Sequence, residues 1–193
     1  VRTLCHPDGT RKVTGGTNAA GSTTALAVSS GMTFKDGTKE ATVTGQMGHI
    51  FAKKLLDAGY DVLLIRDGDD VQLDNVARTV LANNKADAHI ALHWDSTEKD
   101  KGAFFMSVPD SLKKMEPVAS HWESHEKLGE SLIAGLKGKG VKIFSSGSMD
   151  MDLTQTSYST VPSVDIELGD KISDHSEKQL NLLGDALVDG VNK

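Results

Sequence analysis

The chain is predicted to be an α/β protein. We expect one domain spanning residues 1–193, built on a mostly parallel sheet with helices on both faces. Short apolar runs at 61–66, 86–93 and 162–169 alternate with longer stretches whose apolar residues recur at helical spacing. That alternation implies parallel strands joined by helical crossovers, so both sheet faces are covered. No internal repeat or long linker divides the chain, and 193 residues can bury a sizeable core without disulfide staples.

Residues 1–5 have the character of the latter part of a first strand. The stretch 7–39 is rich in Gly, Thr, Ser and Ala, and is expected as a surface insertion or a loop bordering a cleft. Within it 23–29 and 32–34 have strand character, and Asp36-Gly37 suits a tight hairpin. A helix begins near Thr38, with Val43, Met47, Ile50, Phe51 and Leu55 on one face and Gly59 as its stop signal. A strand at 61–66 follows, then a helix at 73–84 presenting Val76, Val80 and Leu81 inward. Strands are expected at 86–93 and 102–108. A long helix at 120–137 carries Trp122, Leu128, Leu132, Ile133 and Leu136. A short extended piece at 141–144, a polar loop at 145–160, a strand at 162–169 and a last helix at 176–191 complete the order.

Composition narrows the function. A formal charge of -6 disfavours nucleic-acid binding, which usually needs a basic face. No apolar run approaches the ~18 residues of a membrane span. The single cysteine, Cys5, has no partner within the chain for a disulfide.

Two strands end in groups that suit metal or acid–base chemistry: His93 closes 86–93, and Glu167 stands near the end of 162–169. In open α/β sheets ligands bind at the carboxyl ends of strands. Catalytic zinc takes three protein ligands from His, Asp or Glu and leaves a position for solvent. His6, Glu40 and His93 supply such a His2Glu set, and Glu167 can move a proton between water and a leaving amine. Each has a plainer explanation. His6 suits a loop before Pro7, and Glu40 suits the first turn of a helix, where a carboxylate complements the dipole. His93 and Glu167 are harder to explain away, because an unpaired polar group in an apolar strand is costly. Of the other histidines, His49, His121 and His125 are expected as solvated helix residues, and His89 as a packed or hydrogen-bonded one. Asp165 shares a strand face with Glu167, either supporting a catalytic group by hydrogen bonding or lying at an edge.

These residues resemble a known family, the zinc-dependent N-acetylmuramoyl-L-alanine amidases of the Amidase_3 type. The likeness runs from about Glu40 to the C-terminus. Glu40 and its helix, closing Leu55-Leu56-Asp57-Ala58-Gly59-Tyr60, precede Val62-Leu63-Leu64-Ile65-Arg66, similar to a family strand ending in Thr-Arg. Arg78, Ala82-Asn83, Ala86-Asp87 and Ile90-Ala91-Leu92-His93 follow the pattern R-x3-AN-x2-AD-x-x-ISIHAN, and 162–169 resembles PAVLVELG. The resemblance implies a twisted, mostly parallel sheet of about six strands with helices on both faces, and Zn2+ held by His6, Glu40 and His93, with Glu167 as catalytic acid/base. It further implies hydrolysis of the amide between N-acetylmuramic acid and L-Ala of the peptidoglycan stem peptide. The expected partners are stem peptide and glycan, and the expected location is extracytoplasmic, or that of a phage lysin acting on the wall.

The chain departs from the family in places. Cys5-His6-Pro7-Asp8-Gly9 stands where the family has Gly-His-Gly-Gly, and the stretch from His6 to Glu40 is longer than usual. Trp94-Asp95 replaces Ala-Asn, with Trp94 expected either as a cleft wall or as a cap on the core. Two other readings stay open: a zinc carboxypeptidase-like amidohydrolase, and a catalytically idle relative that binds peptidoglycan or a partner.

Overall fold

A computed structural model of the chain describes residues 31–68 and 73–193, and two short strands, β1 (Leu4–Cys5) and β2 (Arg11–Lys12), which pair antiparallel. His6 and the strand reading at 23–29 lie outside the described residues. The described order continues α1 (Glu40–Asp57), α2 (Asn75–Lys85), β3 (His89–Asp95), β4 (Ala103–Ser107), α3 (Trp122–Gly138), β5 (Ile143–Asp150), α4 (Thr154–Tyr158), β6 (Ser163–Asp170) and α5 (Glu177–Val191).

Helix ends follow local chemistry. Past the end of α1, Gly59 adopts φ 92°, and Gly59 N and Tyr60 N donate to Leu56 O and Leu55 O. This is a Schellman closure, satisfying carbonyls that the helix leaves unpaired. Asp74 caps α2 by accepting from Ala77 N at 2.9 Å, and Ser176 caps α5 by accepting from Gln179 N. The hairpin expected at Asp36-Gly37 forms: Thr33 bridges Lys39, and Gly37 N donates to Phe34 O.

The main sheet has the order β3–β6–β4–β5. β3 pairs parallel with β6, β4 antiparallel with β6, and β5 parallel with β4. The described sheet is therefore mixed and four-stranded, with two of its three pairings parallel; six strands in a mostly parallel arrangement are not confirmed among the described residues. The cause of the mixing is the short connection 96–102. A parallel crossover needs about a dozen residues, so β4 must return antiparallel. Asp170, fully buried at the end of β6, holds that turn by accepting from Lys101 N at 2.7 Å and Gly102 N at 2.8 Å.

The segment 61–66 is not a strand. Leu63 is 51% exposed, and Arg66 instead reaches α1, donating to Ala41 O and Thr44 Oγ1. The polar stretch after 144 is not one loop either: β5 continues through Ser145–Asp150, and α4 follows. In α2 the buried residues are Thr79 and Ala82, while Val80 is exposed.

Alternation along β6 sends Val164, Ile166 and Leu168 into the main core and leaves Ser163, Asp165 and Glu167 on the other face. That core also takes Met47 and Phe51 of α1, Leu132 and Leu136 of α3, and Leu183 and Leu187 of α5. Burying each such side chain contributes roughly 1.5–3 kcal/mol. The α3–α5 contact is close because Gly135 has no side chain; a Cβ there would stand 2.1 Å from Ala186 O.

His125 is buried rather than solvated. Its Nδ1 accepts from Ser163 N at 3.0 Å, and its Nε2 lies 3.0 Å from Thr156 O, so the neutral ring ties α3 to α4 and β6. His89 is buried as expected, with its Nδ1 3.5 Å from Ser163 Oγ. Burial lowers both rings to a pKa of about 4, assisted at His89 by Arg78 and at His125 by His121. Below pH 6.5 the unfolded chain takes up protons that these folded rings refuse, so stability falls as pH drops toward 4. Each ring contributes on the order of 3 kcal/mol to that loss. Thermal unfolding between pH 7 and 4.5 tests this: His125→Gln is expected to flatten the pH dependence, and an unchanged slope would contradict it.

Candidate active site

The parallel register of β3 and β6 builds the site. His93 is the direct cross-strand partner of Glu167, and Ala91 that of Asp165. Partners in a parallel pair share a face, so His93, Asp165 and Glu167 stand together near the carboxyl ends of both strands.

Glu40 joins them from α1, whose packing on the core brings its first turn to the end of β3. The carboxylate is 6% exposed and is held at both oxygens. Oε2 accepts from Met32 N at 2.7 Å; Oε1 accepts from Trp94 N at 3.3 Å and lies 3.0 Å from His93 Nδ1. Gly31 makes this seat possible. It has φ 73°, and a Cβ on it would stand 2.7 Å from Glu40 Oε2.

Charge is concentrated here. For His93 burial opposes the proton, yet Asp165, Glu40 and Glu167 raise its pKa to about 10. Its side chain keeps 45% of its surface open, so solvent moderates that field. Burial also opposes charge on Glu40, but the bonds from His93, Met32 and Trp94 keep its pKa below the ordinary value. Glu167 and Asp165 are both pushed up, chiefly by burial, against the pull of His93. A carboxyl raised in this way suits proton transfer near neutral pH. Glu167 Oε2 is buried with no hydrogen-bond partner among the described residues, leaving acceptor capacity for water.

Of the four expected site residues, Glu40, His93 and Glu167 converge, while His6 lies outside the described residues. Glu40 and His93 are oxygen and nitrogen donors of the kind zinc takes, already in contact and flanked by the carboxyl groups of Asp165 and Glu167. Among the described residues alone, no three such side chains are arranged to hold an ion. Trp94 belongs to the core, 2% exposed and edge-on to Phe34 at 5.9 Å, which decides between its two expected roles.

Two features escaped the sequence reading. One is the backbone seat for Glu40, of which Gly31 before the hairpin was the only trace. The other is the pairing of Lys101 with Asp95, where the ammonium also lies 4.3 Å from the Phe104 ring centroid. No motif links those residues.

A sequence profile of the family described as N-acetylmuramoyl-L-alanine amidase, Amidase_3, matches residues 15–185. The chain belongs to this family. It is a peptidoglycan hydrolase of the type that cleaves the amide between N-acetylmuramic acid and L-Ala of the stem peptide. The matched span begins past His6.

Solved structures agree in fold. The amidase Ami1 of Mycobacterium smegmatis is 19% identical with TM-score 0.73, over 86% of this chain and 81% of its own. AmiC2 of Nostoc punctiforme is 18% identical with TM-score 0.67, over 84% and 88%. CwlD of Clostridioides difficile, solved with the GerS lipoprotein, is 17% identical with TM-score 0.68, over 84% and 89%. No curated protein matches the chain in sequence. No helix among the described residues is long and apolar enough to cross a membrane.

The Glu40 seat generates a paired test. Gly31→Ala and Gly37→Ala both place a side chain at positive φ, costing roughly 1–2 kcal/mol, but an added Cβ at Gly37 meets nothing within 4 Å. Gly31→Ala is expected to lower peptidoglycan hydrolysis at least about 10-fold, the loss expected from roughly 1.4 kcal/mol of misplacement, while Gly37→Ala stays near the parent. Equal rates for the two variants would remove the seat from the argument.

Proposed function

We propose that the chain cleaves the muramoyl–L-Ala amide with a zinc ion held by His6, Glu40 and His93, and that Glu167 carries the proton. The carrying observation is Glu167 itself: a half-buried carboxylate whose Oε2 is buried with no hydrogen-bond partner among the described residues, directly across the strand pair from His93. Bound at those donors, zinc would act as a Lewis acid toward the scissile carbonyl and lower the pKa of water.

The chain's own groups do the rest. His93 and the two backbone amides on Glu40 favour its ionised form and hold the carboxylate in one orientation. Glu167 takes a proton from the attacking water as the new C–O bond forms. It returns that proton to the nitrogen of L-Ala as the C–N bond breaks, so the stem peptide leaves as a neutral amine. The peptidoglycan substrate places the enzyme's work outside the cytoplasmic membrane, or in a phage lysin that reaches the wall. An endolysin catalytic domain aimed at Clostridia difficile, CD27L, shares the fold at TM-score 0.61.

Labelled peptidoglycan, with and without a chelator, tests the reading. The expected product is an intact stem peptide with a free L-Ala amino terminus, lost on chelation and restored by zinc; release of a terminal amino acid instead would favour a carboxypeptidase-like enzyme. Glu167→Gln is expected to keep its zinc and lose about 10²–10⁴-fold in rate. His93→Ala is expected to lose zinc, and full stoichiometry in that variant would remove His93 from the ligand set.

A further inference from the structure

A carboxylate faces each edge of the His93 ring, Glu40 within hydrogen-bond distance and Asp165 just beyond it. Nδ1 lies 3.0 Å from Glu40 Oε1, and Nε2 lies 3.6 Å from Asp165 Oδ2. The two nitrogens of an imidazole point away from each other. A cation bound by one of them is therefore out of reach of the carboxylate that faces the other. Glu40 and Asp165 cannot both share one ion with His93, so one of them must orient the ring instead.

Resting on the ligand reading above, in which Glu40 and His93 hold the same ion, we infer that Asp165 is the positioning carboxylate of His93. Its role is to receive the Nε2–H, which fixes the tautomer that leaves the Nδ1 lone pair turned toward Glu40 and the ion. Metal-bound histidines generally give their second N–H to such an acceptor, which sets ring orientation and raises ligand basicity.

The placement suits this task. Asp165 lies on β6 two residues before Glu167, on the same face, and its side chain is only 16% exposed. The β3–β6 pairing holds it at a set depth below the site, opposite Ala91.

Zinc affinity, measured by competition with a chromophoric chelator, tests the inference on the intact chain. Asp165→Leu is expected to bind one zinc at saturation but about 10- to 100-fold more weakly. Asp165→Asn, whose amide oxygen still accepts from Nε2–H, is expected to recover most of the affinity, and it remains informative if the Leu variant does not fold. Nitrogen-15 NMR of the zinc-loaded parent is expected to show His93 metallated at Nδ1 and protonated at Nε2. Unchanged affinity in Asp165→Leu, with zinc bound by the parent, overturns the inference alone. Metallation at Nε2, or loss of zinc in Asp165→Asn with retention in Glu40→Gln, exchanges the two carboxylates and overturns the ligand reading too. A parent that takes up no zinc overturns both.

Discussion

The parallel pairing of β3 with β6 is the constraint on which the rest depends. Its register sets His93 beside Glu167 and, through strand alternation, sends Val164, Ile166 and Leu168 into the main core. A slip of one residue would turn every side chain of β6 over, burying the two carboxylates in the core and exposing three aliphatic groups. Stability and chemistry are thus specified by the same ladder. The core cannot be satisfied without placing the site.

Glu40 is the second condition. A carboxylate this buried needs compensation, and it finds two backbone amides and an imidazole, contributed by the 31–39 hairpin and by β3. Helix α1 packs its apolar face on the core and delivers its first residue to the strand ends. The hairpin that precedes α1 therefore has a task beyond connection: its Met32 amide fixes the Glu40 oxygen that His93 does not reach. Around that group Asp165 and Glu167 crowd a single histidine, and the site draws positive charge toward its centre. The proposed cation and the proposed orienting of His93 both rest on that crowding of acidic groups.

Much of the site was legible because its residues interrupt strong local patterns. His93 and Glu167 each stand in an apolar strand where a polar group needs a reason, and the match of spaced motifs to the amidases rests on such positions. His125 was misjudged because helix periodicity shows which face a residue occupies, not what covers that face; α4 and the start of β6 close over it. Val80 was misjudged for the converse reason, since α2 turns Thr79 and Ala82 inward instead.

By itself the sequence determined the alternation of helices and strands, the stop of α1 at Gly59, the placing of an acid and a histidine at strand ends, and the family. These depend on contacts between near neighbours in the chain or on periodicity, which a linear string records. The tertiary structure alone decided the order β3–β6–β4–β5, the reversal of β4, the irregular path of 61–66 and the position of Asp165 against the far edge of His93. Those outcomes rest on strand pairing, loop reach and exclusion of solvent between residues tens of positions apart, and none of these leaves a local mark.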